Sequence, residues 1–233
     1  MAKTIAVFGA GGGMGLSLAR RFGQEGYRVA LVARRREPLD QLVAELAADG
    51  IEAAAFVADL RRTEDVPALV ASIRARFGRI DAVVYSPFSP ATLIPAAELD
   101  AATLRDWVDL YLLTPVELVH AVLPEMLERR AGAIVTGYGY SVLEPSAGLS
   151  GPVPVLAAAR NYIHTLHDEL AEHGVYAGAV AVRALIDRSE AHQAVRSGDM
   201  RLAVDLPVID PDELADLVWA LVRRRDLVEV VHP

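Results

Sequence analysis

A glycine-rich segment near the start of the chain has the residue types and spacing that bind phosphate. It lies between a predicted strand, Thr4–Phe8, and a predicted helix, Gly15–Glu25. Because glycine has no side chain, such a turn can pass close to a pyrophosphate, whose charge the amides at the helix N-terminus then hold. A merely flexible turn would have the same composition, but the strand–turn–helix setting favours dinucleotide binding. The residues predicted to bind the nucleotide here are Gly9, Gly11, Gly12, Gly13, Met14 and Gly15.

Apolar runs of strand length alternate with helix-period segments along most of the chain. The predicted strands are Thr4–Phe8, Arg28–Ala33, Ala53–Ala58, Ala82–Tyr85, Ala133–Thr136, Ala177–Val182 and Val228–Val231. The other predicted helices are Pro38–Ala48, Val66–Phe77, Thr103–Glu128, Pro154–Glu172 and Pro211–Arg223. Apolar strands separated by amphipathic helices indicate a parallel sheet covered on both faces. We therefore expect a three-layer α/β fold, a Rossmann-type doubly wound parallel sheet of about seven strands, with residues 1–233 forming a single domain.

The composition argues against several classes of protein. The 233 residues include 31 Asp and Glu against 23 Lys and Arg, and no cysteine. An acidic chain lacks the basic face that sequence-independent nucleic-acid binding needs, and the absence of cysteine excludes disulfide scaffolds and thiol-ligated metals. No apolar run approaches the roughly 18 residues of a membrane span, and the N-terminus does not resemble a signal peptide. We expect a soluble, cytoplasmic protein with no nucleic-acid or membrane partner.

The spacing Gly9-x3-Gly13-x-Gly15 resembles that of the short-chain dehydrogenase/reductase superfamily, and the resemblance extends over about residues 4–185. Ala58-Asp59-Leu60 is similar to the family's acidic motif after the third strand, which implies that Asp59 contacts the adenine and places Leu60 in the cofactor site. The segments Gly132–Thr136 and Leu123–Met126 are similar to the strand before the family's catalytic serine and to part of its fourth helix. Ser86 stands within the segment that follows the fourth strand, and it is assigned to the cofactor site as well.

The end of the second strand predicts which nucleotide is preferred. An NAD-selective site has a carboxylate there for the ribose 2′-hydroxyl, whereas this chain has Ala33 followed by Arg34, Arg35 and Arg36. An arginine fork suits a 2′-phosphate, so NADP(H) is favoured over NAD(H), with Arg34 and Arg35 as the phosphate ligands. The alternative is that the arginines only keep a loop solvated. Gly12 stands where many NADP-binding relatives carry a second basic residue.

The catalytic set that the resemblance implies is absent from the chain. Family reductases use Asn, Ser, Tyr and Lys, with the lysine lowering the pKa of the tyrosine that exchanges a proton with the reacting oxygen. The corresponding positions here are Tyr111, Gly139, Pro152 and Leu156. A leucine cannot shift the pKa of a phenol, so the usual mechanism of carbonyl reduction is not supported.

Tyrosines are the best candidates for a replacement. Tyr85, Tyr111, Tyr138 and Tyr140 all come from strand ends or from the helix that faces the expected crevice. They predict an aromatic pocket with phenolic donors, in which Tyr138 and Tyr140, followed by Tyr111, are the catalytic candidates. Tyr85, Pro87 and Arg183 are assigned to the substrate pocket, although Arg183 is equally suited to a pyrophosphate or a surface ion pair. Ser141 replaces the missing serine only if the loop shifts its register.

Other features concern metals, a lid and assembly. His164 and His167 have a spacing that could hold a metal, but without a third ligand we expect solvent-facing histidines and no metal site. Residues 184–206 occupy the place of the family's substrate loop and lid. The helix over 103–128 is apolar nearly all round, and together with the helix over 154–172 it predicts a homodimer, with a tetramer as the other possible assembly.

Three functions are compatible with these residues. The first is an atypical reductase that uses NADP(H) to deliver hydride to an enone, quinone or other carbonyl-type acceptor that needs little help from a proton donor. The second is a non-redox enzyme on the same scaffold, such as an isomerase, cyclase or dehydratase. The third is a catalytically inactive NADP(H)-binding protein that acts as a sensor or as the partner of an active relative. The sequence favours the first narrowly over the third.

Overall fold

The computed structural model describes residues 2–88, 94–200 and 205–232, which form a parallel sheet with helices on both faces. The strands are β1 (Thr4–Phe8), β2 (Arg28–Ala33), β3 (Ala53–Val57), β4 (Ala82–Tyr85), β5 (Gly132–Gly139), β6 (Val175–Val182), β7 (Leu185–Ile186), β8 (Val208–Ile209) and β9 (Glu229–His232). The helices are α1 (Met14–Gln24), α2 (Arg36–Ala48), α3 (Val66–Phe77), α4 (Ala101–Val108), α5 (Thr114–Glu128), α6 (Val153–Leu170), α7 (Glu190–Ser197) and α8 (Pro211–Arg224).

The main sheet has seven strands in the order β3-β2-β1-β4-β5-β6-β9, and every neighbouring pair is parallel. The chain moves outward from β1 through β2 to β3 and then returns to the other side of β1. This reversal opens a crevice at the carboxyl ends of β1 and β4, the usual position of a ligand in a doubly wound sheet. The predicted fold, a Rossmann-type doubly wound parallel sheet, is therefore confirmed.

Each face of the sheet is covered by helices that bury one apolar stripe. On one face α1, α2 and α8 cover the sheet, and the fully buried Phe22 of α1 meets Trp219 of α8 edge to face at 5.0 Å. On the other face α3, α5 and α6 bury Phe77, Met126 and Ile163. These residues recur at helical spacing in the sequence, which is why the helices could be predicted.

The predicted helix over 103–128 differs in one respect, because a π-helical turn over Asp109–Leu113 separates α4 from α5. In this turn the Thr114 amide donates to the Asp109 carbonyl. The next residue, Pro115, has no amide hydrogen and so contributes nothing to the regular hydrogen-bond ladder. The wider turn brings Leu110 and Tyr111 to the crevice, and such turns are frequent at functional sites.

The helical segment Ala101–Glu128 is also long and apolar enough to cross a membrane by length and composition alone, with 28 residues and a mean hydropathy of 1.3 over its most apolar window. Core helices of globular proteins pass the same test. In this chain Trp107, Val119 and Met126 of the segment are buried among the residues of one sheet face.

A buried carboxylate on the edge strand β9 ties that strand to the rest of the molecule. Glu229, whose side chain is 10% exposed, accepts two hydrogen bonds from the Arg160 guanidinium, at 2.8 and 2.7 Å, and one from the Tyr138 hydroxyl. Burial opposes its ionisation, but these donors outweigh burial and hold the pKa of Glu229 below its usual range. The carboxylate therefore stabilises the fold only while it is ionised.

We expect Glu229→Gln to lower the free energy of unfolding at pH 7 by about 1–2 kcal/mol, because a charge-assisted pair is lost. A carboxyl whose pKa is depressed by folding contributes stability above its unfolded pKa, near 4.3, and that contribution disappears as the pH falls through the folded pKa. The difference between the two proteins, measured by urea unfolding from pH 7 to pH 3, should therefore shrink in acid.

The matched control is Glu213→Gln on α8, which removes an exposed carboxylate that lies 3.3 Å from His232 of β9. It should change stability by less than about 0.5 kcal/mol. Equal losses in the two variants would contradict the role of Glu229.

Candidate active site

A cavity of about 840 Å³ lies along the carboxyl edge of the sheet and contains nearly all of the residues that the sequence predicted for the site. Those on its wall are Gly9, Gly11, Gly12, Gly13, Met14, Gly15, Arg34, Arg35, Asp59, Leu60, Ser86, Pro87, Tyr111, Tyr138, Gly139, Tyr140, Pro152, Leu156 and Arg183. Tyr85 borders a small adjoining pocket instead. The sequence assignments came from several strand ends, and the parallel register brings them to one edge.

The glycines of the turn after β1 have separate geometric roles. Gly9 has a φ of +88°, and a Cβ there would lie 2.4 Å from the Pro87 Cα, so only glycine fits. A Cβ on Gly15 would lie 2.9 Å from the Ala10 Cα, where α1 packs on the turn. A Cβ on Gly11 would meet nothing within 4 Å, so this side of the glycine is open, and Gly11 lines the cavity. Tight turn, close helix packing and open approach are the features of a phosphate-binding turn.

The N-terminus of α1 completes the cradle. The amides of Leu16 and Ser17 donate to the carbonyls of Gly11 and Gly13. The amides of Met14 and Gly15 begin the helix at the cavity wall, and they donate to no acceptor in the described part of the chain. The positive end of the helix dipole adds to these donors, so the turn suits an anionic group.

The arginines after β2 lie beside the glycine turn but do not share one environment. Arg36 pairs with Asp40 within α2, and Arg35 forms an ion pair with Glu190 of α7. Arg34 forms no ion pair within the described ranges. Burial opposes the ionisation of Asp59 at the end of the cleft, but hydrogen bonds from Arg61 outweigh it and hold the pKa of Asp59 below its usual range.

Two of the four tyrosines are committed to the scaffold. The buried Tyr85 donates its hydroxyl to the Leu110 carbonyl in the π-helical turn, and burial raises its pKa well above the usual value. Tyr138 donates to Glu229; burial and then this hydrogen bond raise its pKa. Both side chains are buried and both hydroxyls are bonded to other protein groups, which argues against Tyr138 as a proton donor. Tyr111 is buried in the π-helical turn and also lines the cavity.

Tyr140 has different neighbours and is partly exposed to the cavity. Its hydroxyl donates to Glu144 at 2.6 Å, and the Arg183 guanidinium lies over its ring at 5.0 Å from the centroid. The hydrogen bond to Glu144 is the main reason that the pKa of Tyr140 is raised. The sequence did not single out Glu144, although its place four residues after Tyr140 is compatible with the contact that the short helical turn Tyr140–Val142 creates.

The positions where the family resemblance places serine, tyrosine and lysine carry no titratable side chain. Gly139 ends β5, Pro152 precedes α6 and Leu156 lies in its first turn, all at the cavity wall. A Cβ on Gly139 would lie 3.7 Å from the Ser141 hydroxyl oxygen, so Ser141 brings a hydroxyl next to this position. Leu156 packs against the apolar core beneath α6.

The predicted lid over 184–206 contains regular structure, except that residues 201–204 lie outside the described residues. β7 pairs with β8 in a two-stranded sheet, and α7 lies between these strands in the chain. In the turn from β7 to α7, Arg188 has a φ of +61° and its side chain pairs with Asp210 at 3.0 Å. His192 of α7 lies 3.0 Å from Asp187. The sequence analysis missed α7 because the helix is short and mostly polar, and its narrow apolar face, Ala191, Ala194 and Val195, buries no side chain completely.

His164 and His167 were predicted to face solvent, but in the structure both contact the strands that α6 covers. The His167 Nδ1 lies 2.8 Å from the Ala177 carbonyl oxygen, and the half-buried His164 lies 3.6 Å from Glu229. Both therefore pack on strands beneath α6. Among the described residues no group of three or more histidine, aspartate or glutamate side chains could hold a metal ion.

Comparison with known proteins defines the family to which this doubly wound fold and crevice belong. The sequence pattern of the short chain dehydrogenases matches residues 3–197. The chain therefore belongs to the short-chain dehydrogenase family.

Individual relatives are more distant. The human dehydrogenase/reductase SDR family member 4 is 29% identical over 183 residues, which cover 77% of this chain and 64% of the relative, so the chain spans less than two thirds of that protein's length. A 3-oxoacyl-acyl-carrier-protein reductase of Staphylococcus epidermidis is 28% identical over 185 residues, covering 78% of this chain and 74% of the relative.

Solved structures give the same fold. An actinorhodin polyketide ketoreductase crystallised with NADPH is 25% identical, with a TM-score of 0.87 over 99% of this chain and 95% of the other. A metagenomic short-chain oxidoreductase in complex with NADP is also 25% identical, with a TM-score of 0.81 over 99% of this chain and 96% of the other.

The contact between the glycine turn and the lid can be tested by Gly13→Ala. The new Cβ would lie 3.0 Å from the Asp187 carbonyl oxygen and 3.1 Å from the Ser189 amide nitrogen, and both are backbone atoms that must move. We expect the melting temperature to fall by about 2–6 °C. Gly11→Ala is the control, because its Cβ meets nothing within 4 Å, and it should leave the melting temperature unchanged. Equal melting temperatures in both variants would show that the lid does not pack on the turn.

Proposed function

We propose that this protein is an NADP(H)-dependent oxidoreductase that delivers hydride to a small conjugated acceptor, such as an enone or a quinone. The observation that carries the proposal is a single cavity that joins the glycine turn and Arg34 at one end to Tyr140 and Arg183 at the other. Its volume of about 840 Å³ falls within the range of cofactor and ligand sites. A nucleotide and an organic acceptor would share this space.

The nucleotide end of the cavity fits NADP(H) in chemistry. Gly11 and the free amides of α1 suit a pyrophosphate. Asp59 lines the same cavity and is the residue for which the family resemblance implies a contact with the adenine. Ala33 brings no carboxylate to the ribose, while Arg34 is available for a 2′-phosphate. The NADP and NADPH complexes of the two structural neighbours support the same nucleotide.

The reacting end supports an acceptor that needs little acid assistance. A nicotinamide bound in the cavity would supply the hydride. Tyr140 differs from the buried Tyr138 in being partly exposed at the cavity, so its hydroxyl can turn from Glu144 to the reduced acceptor and donate its proton there. Arg183, which lies over the Tyr140 ring, stabilises the negative charge that forms on the acceptor. Because no lysine is present to lower a phenol pKa, a ketone would react slowly. A conjugated acceptor spreads the incoming charge before it is protonated.

Turnover tests the proposal directly. NADPH consumption, followed by its absorbance with a panel of enones, quinones and simple ketones, should be faster for the conjugated compounds. Tight NADPH binding without turnover of any acceptor would contradict an oxidoreductase and support a non-catalytic nucleotide-binding protein. Product formation that does not depend on a nicotinamide nucleotide would support an isomerase, cyclase or dehydratase.

Tyr140→Phe tests the proton donor. We expect kcat to fall about 10- to 100-fold with little change in NADPH binding, because only the donor is lost. The raised pKa of Tyr140 keeps its phenol protonated at neutral pH, so wild-type kcat should stay flat from about pH 6 to pH 9. Tyr162→Phe on α6, outside the cavity wall, is the control. Equal kcat values for both variants would exclude Tyr140.

The assembly belongs to the same proposal. We expect a homodimer through residues 103–128 and 154–172, where Leu113 is 43% exposed on the first of these helical segments. Light scattering should give twice the chain mass of 25.0 kDa, and Leu113→Glu should shift the mass toward that of one chain. A monomeric wild type would contradict the proposal, and four times the chain mass would indicate a tetramer.

A further inference from the structure

We propose that Glu190 sets the nucleotide preference by competing with a 2′-phosphate for Arg35. The inference rests on the proposed function, since it assumes that a nicotinamide nucleotide binds in the cavity. It adds a residue of α7 to the arginines after β2 as a determinant of nucleotide selectivity.

The competition begins with an ion pair across the cleft. The guanidinium of Arg35, at the residue that caps α2, pairs with the carboxylate of Glu190, the first residue of α7. The two residues are 155 positions apart in the sequence, and both line the cavity. Arg35 is therefore shared between the nucleotide end of the cleft and the lid.

The position of Glu190 is set by the backbone and not only by the ion pair. Ser189 caps α7 by accepting a hydrogen bond from the His192 amide, and its backbone lies against Gly13 of the glycine turn. Arg188, the residue before Ser189, is held by its ion pair with Asp210. Since the lid is packed on the turn just before Glu190, the carboxylate is held at the edge of the nucleotide site.

The two nucleotides meet this carboxylate differently. A 2′-phosphate carries negative charge, so it must take Arg35 from Glu190 and is then repelled by the carboxylate. The 2′-hydroxyl of NAD(H) can donate a hydrogen bond to a carboxylate, as it does in NAD-selective sites. Glu190 thus supplies from α7 the acidic group that is missing at Ala33. It opposes the preference for NADP(H) that Arg34 and Arg35 create.

Dissociation constants for NADP⁺ and NAD⁺, measured by calorimetry on the full chain, test the inference. Glu190→Gln should tighten NADP⁺ binding about two- to fivefold, the range expected when an exposed ion pair is removed, and should leave NAD⁺ binding unchanged or weaker. The preference for NADP⁺ therefore rises. In the Arg35→Ala background the same Glu190→Gln change should no longer tighten NADP⁺ binding, because the shared guanidinium is gone.

Glu37→Gln is the matched control. It removes the same charge from the first turn of α2, close to the arginines, where Glu37 forms no ion pair among the described residues. Equal effects of Glu37→Gln and Glu190→Gln on the preference would overturn the inference, since net charge alone would explain them. NADP⁺ binding with an unchanged preference in Glu190→Gln would overturn it and leave the proposed function intact. A wild type that binds neither nucleotide would overturn both.

Discussion

The close approach of the turn after β1 to the chain after β4 is the constraint on which the site depends. Gly9 lies so close to Pro87 that a Cβ on Gly9 would be only 2.4 Å from the Pro87 Cα, which leaves no room for a side chain. The meeting point lies where the order of the sheet reverses between β1 and β4. Because the strands on either side are parallel and in register, the same edge receives residues from all parts of the chain. A side chain at Gly9 would separate these strands at their ends and open the crevice.

The tyrosines show how packing divides chemically identical groups. Tyr138 lies within β5, whereas Tyr140 lies just beyond the strand, in the short helical turn Tyr140–Val142. A spacing of two along a continuous strand would place both side chains on one face, so the turn is what gives them different neighbours. Tyr138 meets Glu229 and anchors the edge strand, whereas Tyr140 meets Glu144 at the cavity. Burial and then Glu229 raise the pKa of Tyr138, whereas the hydrogen bond to Glu144 is the main reason that the pKa of Tyr140 is raised. Both residues line the cavity, but the Tyr138 side chain is buried and that of Tyr140 is partly exposed.

Electrostatics in the cleft are local and do not follow the acidic charge of the whole chain, whose formal net charge is −8. Of the three arginines after β2, Arg36 is held by its own helix, Arg35 by the lid and Arg34 by no ion pair in the described ranges. A run of equal charges in the sequence is therefore three different sites in space. The partner that distinguishes Arg35 is Glu190, which lies 155 positions away on a short, mostly polar helix, and no local pattern connects the two residues.

The sequence by itself determined the sheet, most helix positions and the glycine turn, because strand and helix periodicity and the spacing of glycines are local properties. It also located the arginines and the apolar residues Pro152 and Leu156. Only the tertiary structure decided that Glu229 takes the hydroxyl of Tyr138, that Glu144 takes that of Tyr140 and that α7 reaches Arg35. Contacts such as Tyr138–Glu229 and Arg35–Glu190 join residues far apart in the chain, and no local pattern encodes a partner that folding brings from another strand or helix.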